Sequence, residues 1–200
     1  MLALIPAPAA AQKATRILAL GDSLSAGYLL PADAAFPAVL EKALRAKGFQ
    51  VELINAAVSG DTASGALERL DWALGDGVDM AIVEIGANDM LRGLDPKITF
   101  AAIDAIVTRL KERGVKVLLA GMLATPSLGA EYKAAFDRIY PELAARHGVT
   151  LYPFFLDGVL GEKDMQLSDG LHPTRAGVER IVAHILPSVE TVLKTVTARN

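Results

Sequence analysis

Ser23 stands in Gly21-Asp22-Ser23-Leu24, Asn88 in Gly86-Ala87-Asn88-Asp89, and Asp169 precedes His172 by three residues in Ser168-Asp169-Gly170-Leu171-His172-Pro173. A serine hydroxyl attacks a carbonyl carbon only once a base takes its proton, and at neutral pH a histidine held in one tautomer by a carboxylate serves best. The spacing of Asp169 and His172 lets a turn or a helix entry place both side chains on one side, with the other ring nitrogen left for Ser23. Such chemistry also needs donors aimed at the oxygen that becomes negative. The Asn88 amide and the backbone N–H groups of Ser23 and Gly60, in Val58-Ser59-Gly60-Asp61-Thr62, are the candidates. Gly60 suits this role because without a Cβ the backbone can approach a ligand closely.

These segments are far apart in sequence, so the fold must gather them. Short apolar runs predict strands over 16–20, 51–55, 80–85, 116–122 and 150–152, alternating with amphipathic helical stretches. That alternation predicts a mostly parallel sheet covered on both faces. Ile98, Ala102, Ile103, Ile106, Val107 and Leu110 recur as one buried helix face. Val178, Ile181, Val182, Ile185 and Leu186 mark the last helix, which Pro187 is expected to break or kink. Lys47-Gly48, Arg113-Gly114 and His147-Gly148 each place a cation in a last helical turn and a glycine at the left-handed position beyond it, directly before an apolar strand. The expectation is one α/β domain over 12–200 with three layers, helix/sheet/helix. Ligands bind outside the carboxyl ends of the strands in such sheets. The four polar segments fall just there.

Composition narrows the chemistry. The 200 residues include no cysteine and three histidines, which removes thiol nucleophiles and cysteine-ligated metal sites. His147 reads as a helix-ending cation and His184 as a structural residue of the last helix, leaving His172 as the base. Singly, Ser23 fits a helix cap, Asn88 a turn and His172-Pro173 a helix start; their joint order selects the catalytic reading. No Gly-x-Ser-x-Gly elbow, complete P-loop, third glycine of a dinucleotide fingerprint or HExxH occurs, so no metal or nucleotide cofactor is expected. Twenty basic residues against 23 acidic ones, without a block of like charge, argue against nucleic acid as a partner. No apolar run is long enough for membrane insertion.

Gly21-Asp22-Ser23-Leu24-Ser25-Ala26-Gly27-Tyr28 resembles the first block of the GDSL, or SGNH, hydrolases, named for catalytic Ser, Gly, Asn and His. Gly60 in VSGDT, Asn88 in GAND, and Asp169 with His172 in DGLHP resemble the later blocks, in the family's order and over nearly the whole chain. GDSLSAGY, SGDT and Leu91-Arg92-Gly93 are similar to the bacterial secreted branch of thioesterase I, lysophospholipase L1 and arylesterases. The resemblance implies a flavodoxin-like α/β/α fold with a five-stranded parallel sheet and cofactor-free ester hydrolysis. It implies Ser23, Asp169 and His172 as the triad and Ser23, Gly60 and Asn88 as the oxyanion hole.

The loops after the first and fourth strands are apolar, which suits an acyl chain or aryl group better than a polyhydroxylated sugar. Leu24, Tyr28 and Leu29 from the first and Leu123 and Thr125 from the second are the candidate substrate contacts. Asp22, Asp61 and Asp89 are expected to support the site by holding loop amides, Ser59 and Thr62 to cap or buttress, and Arg92 to be a surface cation. The expected activity is hydrolysis of carboxylic esters and thioesters through an acyl-enzyme, by a monomer. A carbohydrate O-deacetylase is the alternative enzyme, and a non-catalytic flavodoxin-like binding module the alternative outside enzymes. MLALIPAPAAA, residues 1–11, resembles the end of a secretory signal with an A-x-A site but without a positively charged start, which points to a periplasmic or secreted protein; a flexible N-terminal extension is the alternative.

Overall fold

The computed structural model describes residues 13–197; the signal-like residues 1–11 lie outside them. In chain order the elements are β1 (Thr15–Leu20), α1 (Ser23–Ala26), α2 (Phe36–Ala46), β2 (Val51–Asn55), α3 (Ala63–Glu68), α4 (Leu70–Leu74), β3 (Met80–Glu84), α5 (Ala87–Leu91), α6 (Pro96–Glu112), β4 (Lys116–Ala120), α7 (Ala130–Asp137), α8 (Ile139–His147), β5 (Thr150–Tyr152) and α9 (Arg175–Thr197). Strand burial follows position in the sheet. All five residues of β3 and the last four of β1 and of β4 are buried, as continuous apolar strands covered on both faces must be. The edge strand β2 buries only Val51 completely.

The sheet is parallel throughout, in the order β2-β1-β3-β4-β5. The chain steps outward from β1 to β2 and then returns across β1 to β3, so the direction of winding reverses between β1 and β3. Leu20 pairs with Val83 there, which brings the carboxyl ends of these two strands side by side. A crevice opens at such a switch point.

On the sheet, α2 packs against α9, while α3, α6 and α8 pack in a row. Ile103, Ile106, Val107 and Leu110 of α6 are fully buried, each contributing about 1.5–3 kcal/mol of burial. Ile98 departs from the expected face: it sits in the first turn of α6, beyond the core, and is half exposed. Pro187 does not break α9, which runs on through it. Proline removes one ladder hydrogen bond, and the burial of Ile181, Ile185, Val189 and Val192 on either side outweighs that loss. The three basic-Gly junctions all turn through left-handed glycines, Gly48, Gly114 and Gly148.

Candidate active site

Ser23 begins α1 directly after β1, so its N–H lies in the first turn, where the helix ladder has no use for it. Asp22 caps this short helix, its Oδ1 accepting the Leu24 N–H at 3.0 Å. The turn is tied to the neighbouring loop: the Gly21 carbonyl accepts the Val58 N–H at 3.0 Å and the Arg69 guanidinium at 3.1 Å.

Ser23 Oγ lies 2.8 Å from His172 Nε2, and His172 Nδ1 lies 2.7 Å from Asp169 Oδ2. Asp169 Oδ1 accepts the backbone N–H groups of Leu171 and His172, at 2.9 and 3.0 Å. Those amides, with the His172 ring, hold the Asp169 carboxyl down at about 2. An ionised carboxylate only accepts, so Nδ1 carries the ring proton and Nε2 is left to accept from Ser23 Oγ. The loop bearing both residues is closed by its own bonds, including Leu167 N–H to the His172 carbonyl at 2.8 Å and Gln166 Nε2 to the Gly170 carbonyl at 2.6 Å. The Tyr28 ring lies over His172, with centroids 4.4 Å apart.

Asn88 is in the first turn of α5, after β3. Its Nδ2 donates one hydrogen to Asp22 Oδ2 at 3.1 Å, which fixes the amide and leaves its second hydrogen for a ligand. Gly60, at φ 85, sits in a turn closed by Asp61 N–H to the Val58 carbonyl, and Arg92 donates to the Gly60 carbonyl at 2.7 Å. Arg92 therefore does more than decorate the surface: it ties the Gly60 turn to the end of α5.

Of the supporting carboxylates, Asp22 is completely buried and pushed up to about 6 by desolvation, against the lowering effect of Leu24 and Asn88. Asp61 pairs with Arg69 at 2.6 Å, and Arg69 Nη1 reaches the Ala56 carbonyl at 2.5 Å. Asp89 accepts the Ala63 N–H at 2.9 Å and the Thr99 hydroxyl at 3.0 Å, clasping α3 and α6 to α5; burial raises its carboxyl as well. Thr62 caps α3 through Gly65 N–H. His147 and His184 pair elsewhere, with Asp104 at 2.6 Å and Asp157 at 2.9 Å.

A cavity of about 840 Å³ opens beside Ser23, Gly60, Asn88 and His172. Leu24, Tyr28, Leu123 and Thr125 line it as expected; Leu29 does not. Leu29 is 75% exposed on a left-handed backbone, φ 57, and its side chain stays in solvent outside the cavity wall. Sequence reasoning missed Met90, Leu91, Phe154, Leu156, Leu160 and Leu171, which supply much of the apolar lining. Phe154 and Leu156 were detectable, since Pro153-Phe154-Phe155-Leu156 follows the carboxyl end of β5.

A doubly wound parallel sheet with these side chains gathered at its switch point has the arrangement of a hydrolase that works through an activated serine. The model of the GDSL-like Lipase/Acylhydrolase family matches residues 19–180, and the chain belongs to that family. It is similar to an arylesterase of Vibrio mimicus, 39% identical over 166 residues covering 82% of this chain and 83% of the relative. Similarity to the thioesterase 1/protease 1/lysophospholipase L1 of Escherichia coli K12 is 38% identity over 166 residues, 82% of this chain and 78% of the relative. Among solved structures, AlinE4, an SGNH-hydrolase family esterase, superimposes with a TM-score of 0.77 at 43% identity, over 92% of this chain and 99% of that one. No helix among the described residues is long and apolar enough to cross a membrane.

Proposed function

We propose that Ser23 is the nucleophile of this esterase, His172 its general base and acid, and Asp169 the carboxylate that orients the imidazole. The observation that carries this reading is the unbroken chain from Ser23 Oγ to Nε2 at 2.8 Å and from Nδ1 to Asp169 at 2.7 Å. Ser23 Oγ attacks the acyl carbon as its proton passes to Nε2. The oxygen that becomes negative is held by the N–H groups of Ser23 and Gly60 and by the second Asn88 amide hydrogen. His172 then protonates the leaving alcohol or thiol, and a water activated by the same nitrogen releases the acid.

The substrates we infer are esters and thioesters with an apolar acyl or aryl group. Leu24, Met122, Leu123, Phe154, Leu156 and Leu160 around the cavity support an acyl chain over a sugar ring. We place the enzyme in the periplasm or outside the cell, as a monomer acting on lipid-derived esters; the signal-like stretch 1–11 supports the location. A fluorophosphonate probe is expected to label Ser23 and to fail with Ser23→Ala, followed by turnover across acetyl to decanoyl p-nitrophenyl esters, acyl-CoA thioesters and acetylated xylan. Labelling elsewhere overturns the nucleophile, and preference for xylan favours the O-deacetylase.

A further inference from the structure

Beneath the nucleophile turn lies a carboxyl group that the reaction described above does not use. Glu84 ends β3 fully buried. Its Oε2 accepts the Ser25 hydroxyl at 2.7 Å, while Oε1 has no hydrogen-bond partner among the described residues. The contact with the turn is close: a Cβ on Gly21 would stand 2.8 Å from Glu84 Oε2 and 2.9 Å from the Glu84 carbonyl oxygen, so glycine is what lets the turn rest on this side chain. The Asp22 N–H also faces the Glu84 carboxyl. Glu84 thus touches the residues on both sides of Ser23.

We propose that Glu84 is a positioning residue that supports the Ser23 turn from below as a neutral carboxylic acid, leaving the negative charge of this adjacent pair on Asp22. This rests on Ser23 being the nucleophile. Two adjacent buried carboxyls do not both ionise. Asp22 has donors on both oxygens, Leu24 N–H and Asn88 Nδ2, and so is the one equipped to carry the charge. Glu84 as a carboxylate would leave a charged oxygen unpartnered in the core, whereas the acid leaves one neutral O–H unpartnered, the smaller cost. The titratable groups that act on it are Asp22 in the turn and Tyr140 from α8, whose hydroxyl donates to the Ile85 carbonyl. None of the ion pairs among the described residues includes Glu84. Burial and the Asp22 charge both push its carboxyl well above the ordinary range.

The neutral state makes an amide an adequate replacement. E84A, which removes the support, is expected to lower kcat on p-nitrophenyl butyrate by about 10²-fold with KM little changed, and E84Q to restore kcat to within about threefold of wild type, roughly one hydrogen bond's difference. Infrared difference spectra between wild type and E84Q at pH 7 should contain the C=O stretch of a protonated carboxyl. Absence of that band, or E84Q as impaired as E84A, overturns the proposal. The band is read without turnover, so E84A failing to fold leaves the test intact, and activity surviving in Ser23→Ala would count against the nucleophile while leaving the protonation result standing.

Discussion

Asn88 and Asp22 are joined across the switch point of the sheet: the amide that faces the cavity from α5 donates to the carboxylate that caps α1, 3.1 Å away. One bond therefore sets the turn of the proposed nucleophile and the proposed oxyanion donor relative to each other. Asn88→Ala removes that donor and should lower kcat by about 10²–10³-fold, or about 2.7–4 kcal/mol of transition-state stabilisation, with little change in KM. Steady-state kinetics with p-nitrophenyl acetate on a variant of unchanged circular dichroism decides; undiminished kcat removes Asn88 from the mechanism.

Asp22 places stability and activity in opposition. Its folded value of about 6 lies above the ordinary value of 3.8, so the folded state holds this proton more tightly than the unfolded chain. The stability it contributes is fully present below about pH 4 and is lost as pH rises through 6. In the proposed mechanism the charged form orients Asn88, so activity is expected to rise over the same interval. Urea titrations from pH 4 to 7 should show wild type losing more stability than Asp22→Asn, while kcat/KM of wild type climbs. Parallel stability profiles would contradict the burial argument.

Asp169 has the opposite sign. Held at about 2 by the amides of Leu171 and His172, it contributes stability above about pH 4 that disappears as pH falls toward 2. In Asp169→Asn the carbonyl oxygen can still accept those amides, but the side-chain N–H₂ then faces Nδ1 and drives the proton to Nε2, where it blocks acceptance from Ser23. A fall in kcat of about 10³–10⁴-fold is expected. ¹⁵N spectra of the imidazole would show the tautomer change; an unchanged tautomer contradicts it.

Leu160 lines the cavity and is half exposed, so a larger side chain fits there without disturbing the core. Leu160→Trp should narrow the acyl space and lower the ratio of kcat/KM for decanoyl over butyryl ester by about tenfold or more. An unchanged ratio would move the acyl chain to another part of the cavity.

Gly86 joins β3 to α5 at φ 116, and a Cβ there would stand 2.3 Å from Tyr140 Oη. Gly86→Ala is expected to cost about 2–4 kcal/mol in urea denaturation. Tyr140→Phe in that background should recover part of the loss; failure to recover any would locate the strain in the backbone alone.

The parts of this molecule legible from sequence are those with a period or a fixed local rule. All five strands fall within two residues of their expected ends, because apolar runs, three of them entered through left-handed Gly48, Gly114 and Gly148, leave little freedom. The cavity wall was read only in part. Leu160 and Leu171 lie in a long irregular segment after β5, where no periodicity assigns a side chain to solvent or to substrate. Leu29 failed for the same reason: proximity to Ser23 along the chain does not fix direction once the backbone turns left-handed. Glu84 was hidden inside a strand pattern, since sequence shows an acid at a buried position but not what lies over it.

The loop holding Asp169 and His172 has a consequence for how such an enzyme diversifies. Its closing bonds, from Gly161 N–H on Gln166 Oε1 to Thr174 N–H on the Met165 carbonyl, fall within residues 161–174, and none reaches the segment 122–126 that walls the cavity. The pair proposed to handle the proton is held by bonds local to its own loop, with Tyr28 and Ser23 as its contacts from outside. Substitutions confined to residues 122–126 are therefore expected to change the acyl wall while leaving the bonds that hold Asp169 and His172 in place.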